Sequence, residues 1–391
     1  MGIVETSYSK IDHLFMLILF ILVLSSLKGN SQPLVPAMFI FGDSVVDVGN
    51  NNNLETVVKS NFPPYGRDFI NHHDTGRFCN GKLASDFTGP RLCSSLRASK
   101  NVGTALPAMM VINLTTIFCV GENLGFTSYP PPILSKEANG KNLLLGANFA
   151  SGGSGYYDTT AKLYNTISLS KQLGYYQEYQ KKLVGLAGKA NATSIISGSV
   201  YLVSSGSSDF VQNYYVNPLL YKVYTPNQFA DILIQAYSHF IQELYRLGAR
   251  KIGVSTLPPI GCLPASITLF GEDSNECVTK MNSVAKYFNK KLNATSLSLK
   301  SKLSGLNLVV LDIYHPLFDL IQKPTDFGFF EARKACCGTG LIETSYLCNK
   351  ESPGTCKNAS EYVFWDGFHP SEAANKILAD DLLVDGISLV S

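Results

Sequence analysis

Short runs of consecutive apolar residues recur along the chain, with longer segments of helical character between several of them. The runs typical of buried strands are 37–41, 143–149, 200–204, 251–255 and 306–313. The segments with helical character are 169–186, 226–247 and 274–303. Strands that alternate with helices favour a parallel sheet covered on both faces. The pattern therefore predicts an α/β protein, a three-layer α/β/α sandwich around a mainly parallel sheet that ends in a helix from about Ser371 to Leu383.

The beginning of the chain follows a different pattern. Lys10 precedes an apolar stretch from Leu14 to Leu27, and small and polar residues follow through Ser31. This order is typical of a secretory signal peptide, and the apolar stretch is short for a membrane-spanning helix. We therefore expect residues 1–31 to be a signal peptide and residues 32–391 to form a single domain. A signal anchor that stays attached is the alternative.

Triplets of the form N-x-[ST], which mark sites of N-glycosylation, agree with export. They begin at Asn113, Asn191, Asn293 and Asn358. Such triplets also arise by chance, so each one depends on where its asparagine lies in the folded protein.

Composition narrows the classes of partner. The chain has 391 residues, of which 45% are hydrophobic and 16% charged, and its net charge is +2. This length and apolar content are sufficient for a large buried core. Because no block of like charge is present, the sequence indicates neither nucleic-acid binding nor a polybasic membrane patch. Small or lipid-like substrates remain open.

The nine cysteines agree with an oxidising compartment. One pair brackets a short loop and four more lie close together, at positions Cys262, Cys277, Cys336, Cys337, Cys348 and Cys356. We expect disulfides that close surface loops, although the sequence does not fix their pairing. A zinc site is the alternative, but the cluster of four lacks C-x-x-C spacing and contains no histidine, so we expect no metal. Cys79 has no obvious partner.

Two separated motifs carry the candidate chemistry. "FIFGDSVVDVGNNN" spans residues 39–52 and "WDGFHPS" spans 365–371, and together they supply Ser44, Asp366 and His369. A serine hydroxyl is a poor nucleophile at neutral pH unless an imidazole takes its proton and a carboxylate orients that imidazole. Ser44 also follows an apolar run, so we expect it at the carboxyl end of a strand, where open α/β sheets place their chemistry.

These motifs belong to a longer series that covers nearly all of the chain after the predicted signal peptide. In order, the others are "PPYGRDF", "TGRFCNGKLASDF", "ENLGFTSYPPP", "GANFASGGSGYYD", "LPPIGCLP" and "ACCGTG". The series resembles the plant-type GDSL esterase/lipases of the SGNH hydrolase superfamily. That resemblance implies a flavodoxin-like fold with a five-stranded sheet, ester hydrolysis without a cofactor, and an extracellular location in the cell wall or apoplast.

The resemblance also implies a role for each matching residue. Ser44 corresponds to the nucleophile, and its backbone N–H would bind the developing oxyanion. His369 corresponds to the general base and Asp366 to the carboxylate that orients it. A glycine of "ASGGSG" would supply a second oxyanion N–H, and Gly153 fits better than Gly152.

One departure from the family pattern affects the oxyanion hole. The family commonly has G-x-N-D after its third strand, whereas this chain reads "SSGSSDF", which puts Ser208 in place of the asparagine. A hydroxyl still donates a hydrogen bond, but it is shorter than an amide and rotates freely. We hypothesise that Ser208 donates directly or through water, with a partial loss of rate.

A second departure is an atypical insertion over about residues 89–121, between "DFT" and "ENLGF". We hypothesise that it is a translated retained intron, because Gly89 and Val120-Gly121 can be encoded with GT and GTAG at the splice junctions. The alternatives are a genuine surface loop and a membrane-inserted segment over 104–120. The insertion contains Cys93, Cys119 and the Asn113 triplet.

The sequence as a whole predicts a secreted serine ester hydrolase that acts on esters such as lipids or acylated small molecules through an acyl-enzyme at Ser44. We expect no nucleic-acid partner and no stable membrane insertion. Two alternatives stay open: an acyltransferase that uses the same three residues, and a catalytically weak or silent glycosylated protein that binds cell wall or lipid.

Overall fold

The computed structural model describes residues 34–88, 128–272 and 274–390. The predicted signal peptide and the insertion at 89–121, with Cys93, Cys119 and Asn113, lie outside these residues. From Val35 onward the described residues belong to one compact unit.

A parallel sheet of five strands forms the centre of this unit. The strands are β1 (Met38–Gly42), β2 (Gly146–Asn148), β3 (Val200–Ser204), β4 (Lys251–Ser255) and β5 (Asn307–Leu311). Their order across the sheet is β2-β1-β3-β4-β5, and every neighbouring pair is parallel. This is the order of flavodoxin-like sheets. The predicted α/β fold is therefore confirmed.

The α-helices connect and cover these strands. In chain order they are α1 (Asp158–Leu163), α2 (Leu169–Ala187), α3 (Lys189–Gly198), α4 (Pro218–Val223), α5 (Pro226–Arg246), α6 (Pro264–Phe270), α7 (Thr279–Lys302), α8 (Tyr314–Gln322) and α9 (Glu372–Asp385). None of the helices within the described ranges has the length and apolarity needed to cross a membrane.

The two faces of β1 explain the layered arrangement, because successive side chains of a strand point to opposite sides. Phe39 and Phe41 enter the larger core, where Phe39 meets Tyr176 of α2 and Phe41 meets Phe240 of α5. Met38 and Ile40 enter a smaller core that includes Leu389 near the end of the chain. Burial on both faces is why the strand reads as a continuous apolar run.

Strand β2 is shorter than the predicted 143–149. A 3-10 helix over Gly140–Leu145 occupies the beginning of that run. Gly146 then enters the sheet with φ 101°, and a Cβ there would lie 1.9 Å from the carbonyl oxygen of Met38. Only glycine allows this close approach, so the turn into the strand depends on it.

A second, two-stranded parallel sheet lies outside the main one. It pairs β6 (Glu331–Ala335) with β7 (Tyr362–Phe364). Neither strand was predicted, because "EARKA" is too polar and "YVF" too short to give a strand pattern. Two disulfides, Cys336–Cys356 and Cys337–Cys348, lie next to this sheet, and a third joins Cys262 to Cys277. Cys79 is a buried free thiol.

Candidate active site

Ser44 lies just beyond the carboxyl end of β1, which has β2 on one side and β3 on the other. The end of the strand is tightly held. Gly42 exchanges two backbone hydrogen bonds with the side-chain amide of Gln172, at 3.0 and 2.9 Å. A Cβ on Gly42, where φ is 142°, would lie 1.8 Å from the carbonyl oxygen of Ser204. The serine is therefore presented from a fixed piece of backbone.

The structure brings Ser44, His369 and Asp366 together. Nε2 of His369 lies 2.7 Å from Oγ of Ser44, and Nδ1 lies 2.7 Å from Oδ1 of Asp366. Because a carboxylate only accepts, Nδ1 carries the proton and Nε2 is left to accept the serine hydroxyl. All three residues are at most 5% exposed. This arrangement can activate a hydroxyl for attack on a carbonyl carbon.

The loop between β7 and α9 holds Asp366 and His369. Oδ1 of Asp366 accepts the backbone N–H groups of Phe368 and His369, at 3.0 and 2.9 Å. The phenyl ring of Phe78 packs on the imidazole with ring centres 5.2 Å apart. The two residues are three apart in sequence, and the turn places both side chains on one side.

Sequence reasoning missed two residues that contact the other oxygen of Asp366. Tyr65 donates its hydroxyl to Oδ2 at 2.7 Å, and Thr344 donates its hydroxyl to the same atom at 3.1 Å. Burial, followed by the charge of Asp366, raises the pKa of Tyr65 well above its usual range. Tyr65 lies in the motif "PPYGRDF", but nothing in that pattern indicates which carboxylate its hydroxyl would reach.

Two backbone N–H groups are available for an oxyanion. Within the described residues, neither the N–H of Ser44 nor that of Gly153 has a hydrogen-bond acceptor. The N–H of Gly152 donates to Oδ2 of Asp47 at 2.9 Å and is therefore occupied. A Cβ on Gly152 would lie 2.7 Å from the ring of Phe78, so this glycine turn lies close to the ring that packs on His369.

Ser208 follows the carboxyl end of β3, the strand next to β1, and leads into the π-helical turn Asp209–Tyr214. Its side chain is buried, and its hydroxyl makes no hydrogen bond to any other described residue. The neighbouring Asp209 has a different role, because it accepts the N–H of Tyr156 at 2.7 Å and the hydroxyl of Thr160 at 2.6 Å. Burial raises the pKa of Asp209 to about 7.

The two other carboxylates near Ser44 organise the loop that follows it. Asp43 accepts the N–H of Val45 at 3.1 Å, and burial raises its pKa to about 7. Asp47 accepts the N–H groups of Gly49 and Asn50, each at 2.8 Å, and burial raises its pKa to about 6. Their bonds to nearby backbone make both carboxylates structural parts of the loop.

Other predicted sites lie on the surface. The asparagines of the described glycosylation triplets, Asn191, Asn293 and Asn358, are all exposed. The four clustered cysteines considered as zinc ligands form the disulfides Cys336–Cys356 and Cys337–Cys348 instead. Over residues 34–88, 128–272 and 274–390 there is no group of His, Cys, Asp and Glu side chains that could hold a metal ion.

The chain is similar to known proteins over most of its length. The family model of the GDSL-like lipase/acylhydrolases matches residues 38–382. A GDSL esterase/lipase of Arabidopsis thaliana is 60% identical over 364 residues, which are 92% of this chain and 92% of the relative. A second one is 56% identical over 365 residues, 93% of this chain and 94% of the relative. The Arabidopsis thaliana GDSL esterase/lipase APG is 53% identical over 377 residues, 96% of this chain and 98% of the relative.

The resemblance seen in the sequence is thereby confirmed over almost the whole chain. The five-stranded parallel sheet agrees with the fold that this resemblance implies. The chain belongs to the GDSL-like lipase/acylhydrolase family and is a carboxylic ester hydrolase of the plant GDSL esterase/lipase type.

Proposed function

We propose that this ester hydrolase works through a covalent acyl-enzyme at Ser44, with His369 as the general base and Asp366 as the carboxylate that orients it. The observation that carries the proposal is the unbroken series of two 2.7 Å contacts from Ser44 through His369 to Asp366. Burial of all three groups strengthens each electrostatic contact, because water is excluded from between them.

In the first half-reaction Oγ of Ser44 attacks the carbonyl carbon of the ester while Nε2 of His369 takes the hydroxyl proton. The tetrahedral intermediate collapses, the bond to the alcohol oxygen breaks, and His369 returns the proton to that oxygen. In the second half-reaction His369 takes a proton from water as the water oxygen attacks the acyl carbon. The second tetrahedral intermediate collapses, the bond to Oγ of Ser44 breaks, and His369 returns the proton to that Oγ as the acid leaves. Throughout, Asp366 stabilises the imidazolium without taking its proton.

The oxyanion would be held by three donors. The backbone N–H groups of Ser44 and Gly153 are free to bind it, and each is supplied by fixed backbone. Ser208 would act as the third donor in place of the family asparagine. Its unpaired hydroxyl supports this role, since it makes no hydrogen bond to a described residue that would have to be broken first.

We further propose that the protein is secreted after loss of residues 1–31, is glycosylated, and acts on lipid or acylated small-molecule esters outside the cell. The exposed positions of Asn191, Asn293 and Asn358 support glycosylation. The three disulfides support folding in an oxidising compartment. Residues 32–391 would act as one catalytic domain, and the insertion at 89–121 would be the product of a retained intron.

The test uses the secreted protein and its Ser44→Ala variant, each made with and without residues 90–121. We expect hydrolysis of short-chain p-nitrophenyl esters that is lost in Ser44→Ala, and stoichiometric labelling of Ser44 by a fluorophosphonate. Activity confined to the shortened form would assign the insertion to an inactivating splice product.

Two other outcomes would replace the proposal. Ester or lipid binding that survives Ser44→Ala, with no labelling and no turnover in either form, would make the protein a binder. Preferential transfer of the acyl group to an added alcohol over water would make it an acyltransferase.

A further inference from the structure

The carboxylate of Asp366 has two oxygens, and each is bound by a different part of the molecule. Oδ1 faces His369 and the two N–H groups of its own loop. Oδ2 faces the opposite way and accepts hydroxyl groups from Tyr65 and Thr344. These two residues come from segments far apart in sequence, and neither side chain is hydrogen-bonded to Ser44 or to the imidazole, so the proposed reaction does not by itself explain them.

The direction of the Tyr65 hydroxyl proton follows from its second contact. The phenol oxygen accepts the N–H of Ser345 at 2.7 Å and lies 2.7 Å from Oδ2 of Asp366. A phenol has one proton, and an N–H can only donate, so the phenol proton points at the carboxylate. Because burial holds the pKa of Tyr65 far above neutrality, this donor stays protonated wherever the enzyme is folded.

The segment that supplies Thr344 and Ser345 is itself fixed. Ser345 accepts the N–H of Lys59 at 2.7 Å, and its Oγ lies 2.8 Å from the carbonyl oxygen of the same residue. Glu343 accepts the N–H of Gly367, next to the catalytic carboxylate, at 2.7 Å. The disulfide Cys337–Cys348 closes the loop that contains Glu343, Thr344 and Ser345.

We propose that Tyr65 is a positioning residue for ester hydrolysis: its hydroxyl, with Thr344, holds Asp366 in the orientation that keeps His369 aligned with Ser44. The proposal rests on the catalytic roles proposed above. A carboxylate turns easily about its final bond, and two donors on Oδ2 in addition to those on Oδ1 stop that rotation. The 2.7 Å bond from the Tyr65 hydroxyl to Oδ2 is charge-assisted, and such short bonds are among the strongest hydrogen bonds in proteins. It is therefore suited to holding the carboxylate in one orientation.

The test is Tyr65→Phe, which removes one oxygen and keeps the ring. We expect kcat to fall about tenfold with KM nearly unchanged, since one charged hydrogen bond is lost and no substrate contact is involved. We also expect the acidic limb of the kcat/KM profile to move to higher pH. When the carboxylate of Asp366 loses a donor, it stabilises the protonated imidazole of His369 more strongly. The neutral imidazole that acts as the base therefore forms only at a higher pH.

Tyr237→Phe is the matched control. Tyr237 is also fully buried and bonds one hydroxyl, that of Ser296, at 2.6 Å between α5 and α7. Its loss should weaken folding to a similar extent and leave kcat and the pH profile unchanged. The only tryptophan of the chain, Trp365, is fully buried beside the Tyr65 ring, with centres 6.0 Å apart. Its fluorescence reports whether each variant is folded.

Wild-type kcat and an unshifted pH profile in folded Tyr65→Phe would overturn the proposal. If that variant does not fold, Thr344→Val and Thr344→Ser test the same oxygen of Asp366: the valine variant should lose several-fold in kcat and the serine variant should recover it. Equal rates in the two would also overturn it. Ser44→Ala separates the proposals, because turnover that persists there removes the catalytic assignment, whereas an inactive Ser44→Ala beside an unaffected Tyr65→Phe removes only the positioning role.

Discussion

The two halves of the candidate active site are built in different ways. The nucleophile segment, Gly42–Val46, continues directly from β1, which is hydrogen-bonded on both sides within the five-stranded sheet. The base segment, Phe364–Ser371, follows a three-residue strand outside that sheet. There, Cys337 donates its N–H to the carbonyl of Trp365 at 2.8 Å, beside the disulfide to Cys348. The first segment is held by regular secondary structure and the second by side chains and crosslinks.

This difference indicates where each half is vulnerable. The position of Ser44 depends on a buried sheet, so changes that move it should also unfold the domain. The position of Asp366 depends on a small number of separate contacts, such as those from Tyr65 and Thr344. Changes in the base segment should therefore lower activity more than they lower the stability of the fold. This expectation gives a direct test of the difference between the two halves of the site.

Replacing Cys337 and Cys348 together by serine should have the largest effect. Closing a loop of this length contributes about 3 kcal/mol to the free energy of unfolding in the chain-entropy model. The released loop carries Thr344 and the Ser345 N–H, so we expect kcat of the folded fraction to fall by about tenfold or more. Urea unfolding and single-turnover ester hydrolysis measure the two effects.

The paired control replaces Cys262 and Cys277 by serine. Their loop is of similar length, and Ala265 donates its N–H to the carbonyl oxygen of Gly367 at 3.0 Å. None of the described residues of this loop is hydrogen-bonded to the carboxylate of Asp366. This double variant should lose about as much stability as the variant without Cys337–Cys348, but it should keep most of its kcat. Equal losses of kcat in the two double variants would show that the base segment has no special dependence on the Cys337–Cys348 loop.

Asp43→Asn tests the nucleophile segment and should have an intermediate effect. Burial raises the pKa of Asp43 to about 7 in the folded protein, while the unfolded value is near 4. The folded state therefore binds the proton of Asp43 more tightly than the unfolded state does. The stabilisation that this proton gives to the folded state is complete below pH 4 and is lost as pH rises through 7. Linkage gives a loss of about 2 kcal/mol between pH 5 and pH 7 from this group.

Asparagine keeps an oxygen that accepts the N–H of Val45 and has no proton to lose in this range. The variant should lose about 2 kcal/mol less than the original protein between pH 5 and pH 7, measured by urea unfolding at each pH. Parallel stability curves for the two proteins would mean that Asp43 is ionised throughout.

Ser208→Asn should have the smallest effect, because it improves one donor among three. We expect kcat to rise about three- to tenfold, a fraction of the roughly 10² to 10³ lost when such a donor is removed outright. Ser208→Ala should lower kcat, and burst kinetics with a p-nitrophenyl ester measures both. An unchanged rate in the alanine variant would exclude Ser208 from the oxyanion hole.

The sequence predicted the nucleophile segment more fully than the base segment, for a physical reason. Strand β1 is buried on both faces, so a continuous apolar run marks it in the sequence and its place in a parallel sheet could be predicted. The pairing of Asp366 with His369 was expected from the resemblance of "WDGFHPS" to the family motif. The contacts of Tyr65 and Thr344 with Asp366 could not be predicted from the sequence. Tyr65 lies 301 residues and Thr344 22 residues from Asp366, and such distant contacts leave no periodic pattern.

The buried thiol of Cys79 bears on how the three crosslinks persist. Disulfide exchange requires a thiolate, and burial raises the pKa of Cys79 far above its usual range while Asn375 and the backbone of Pro370 surround its sulfur. The native fold thus keeps the free thiol of the described residues buried and protonated. Exchange started by Cys79 should therefore begin only after the domain opens, so oxidative refolding from the reduced chain is the step at which this thiol can give mispaired, inactive isomers.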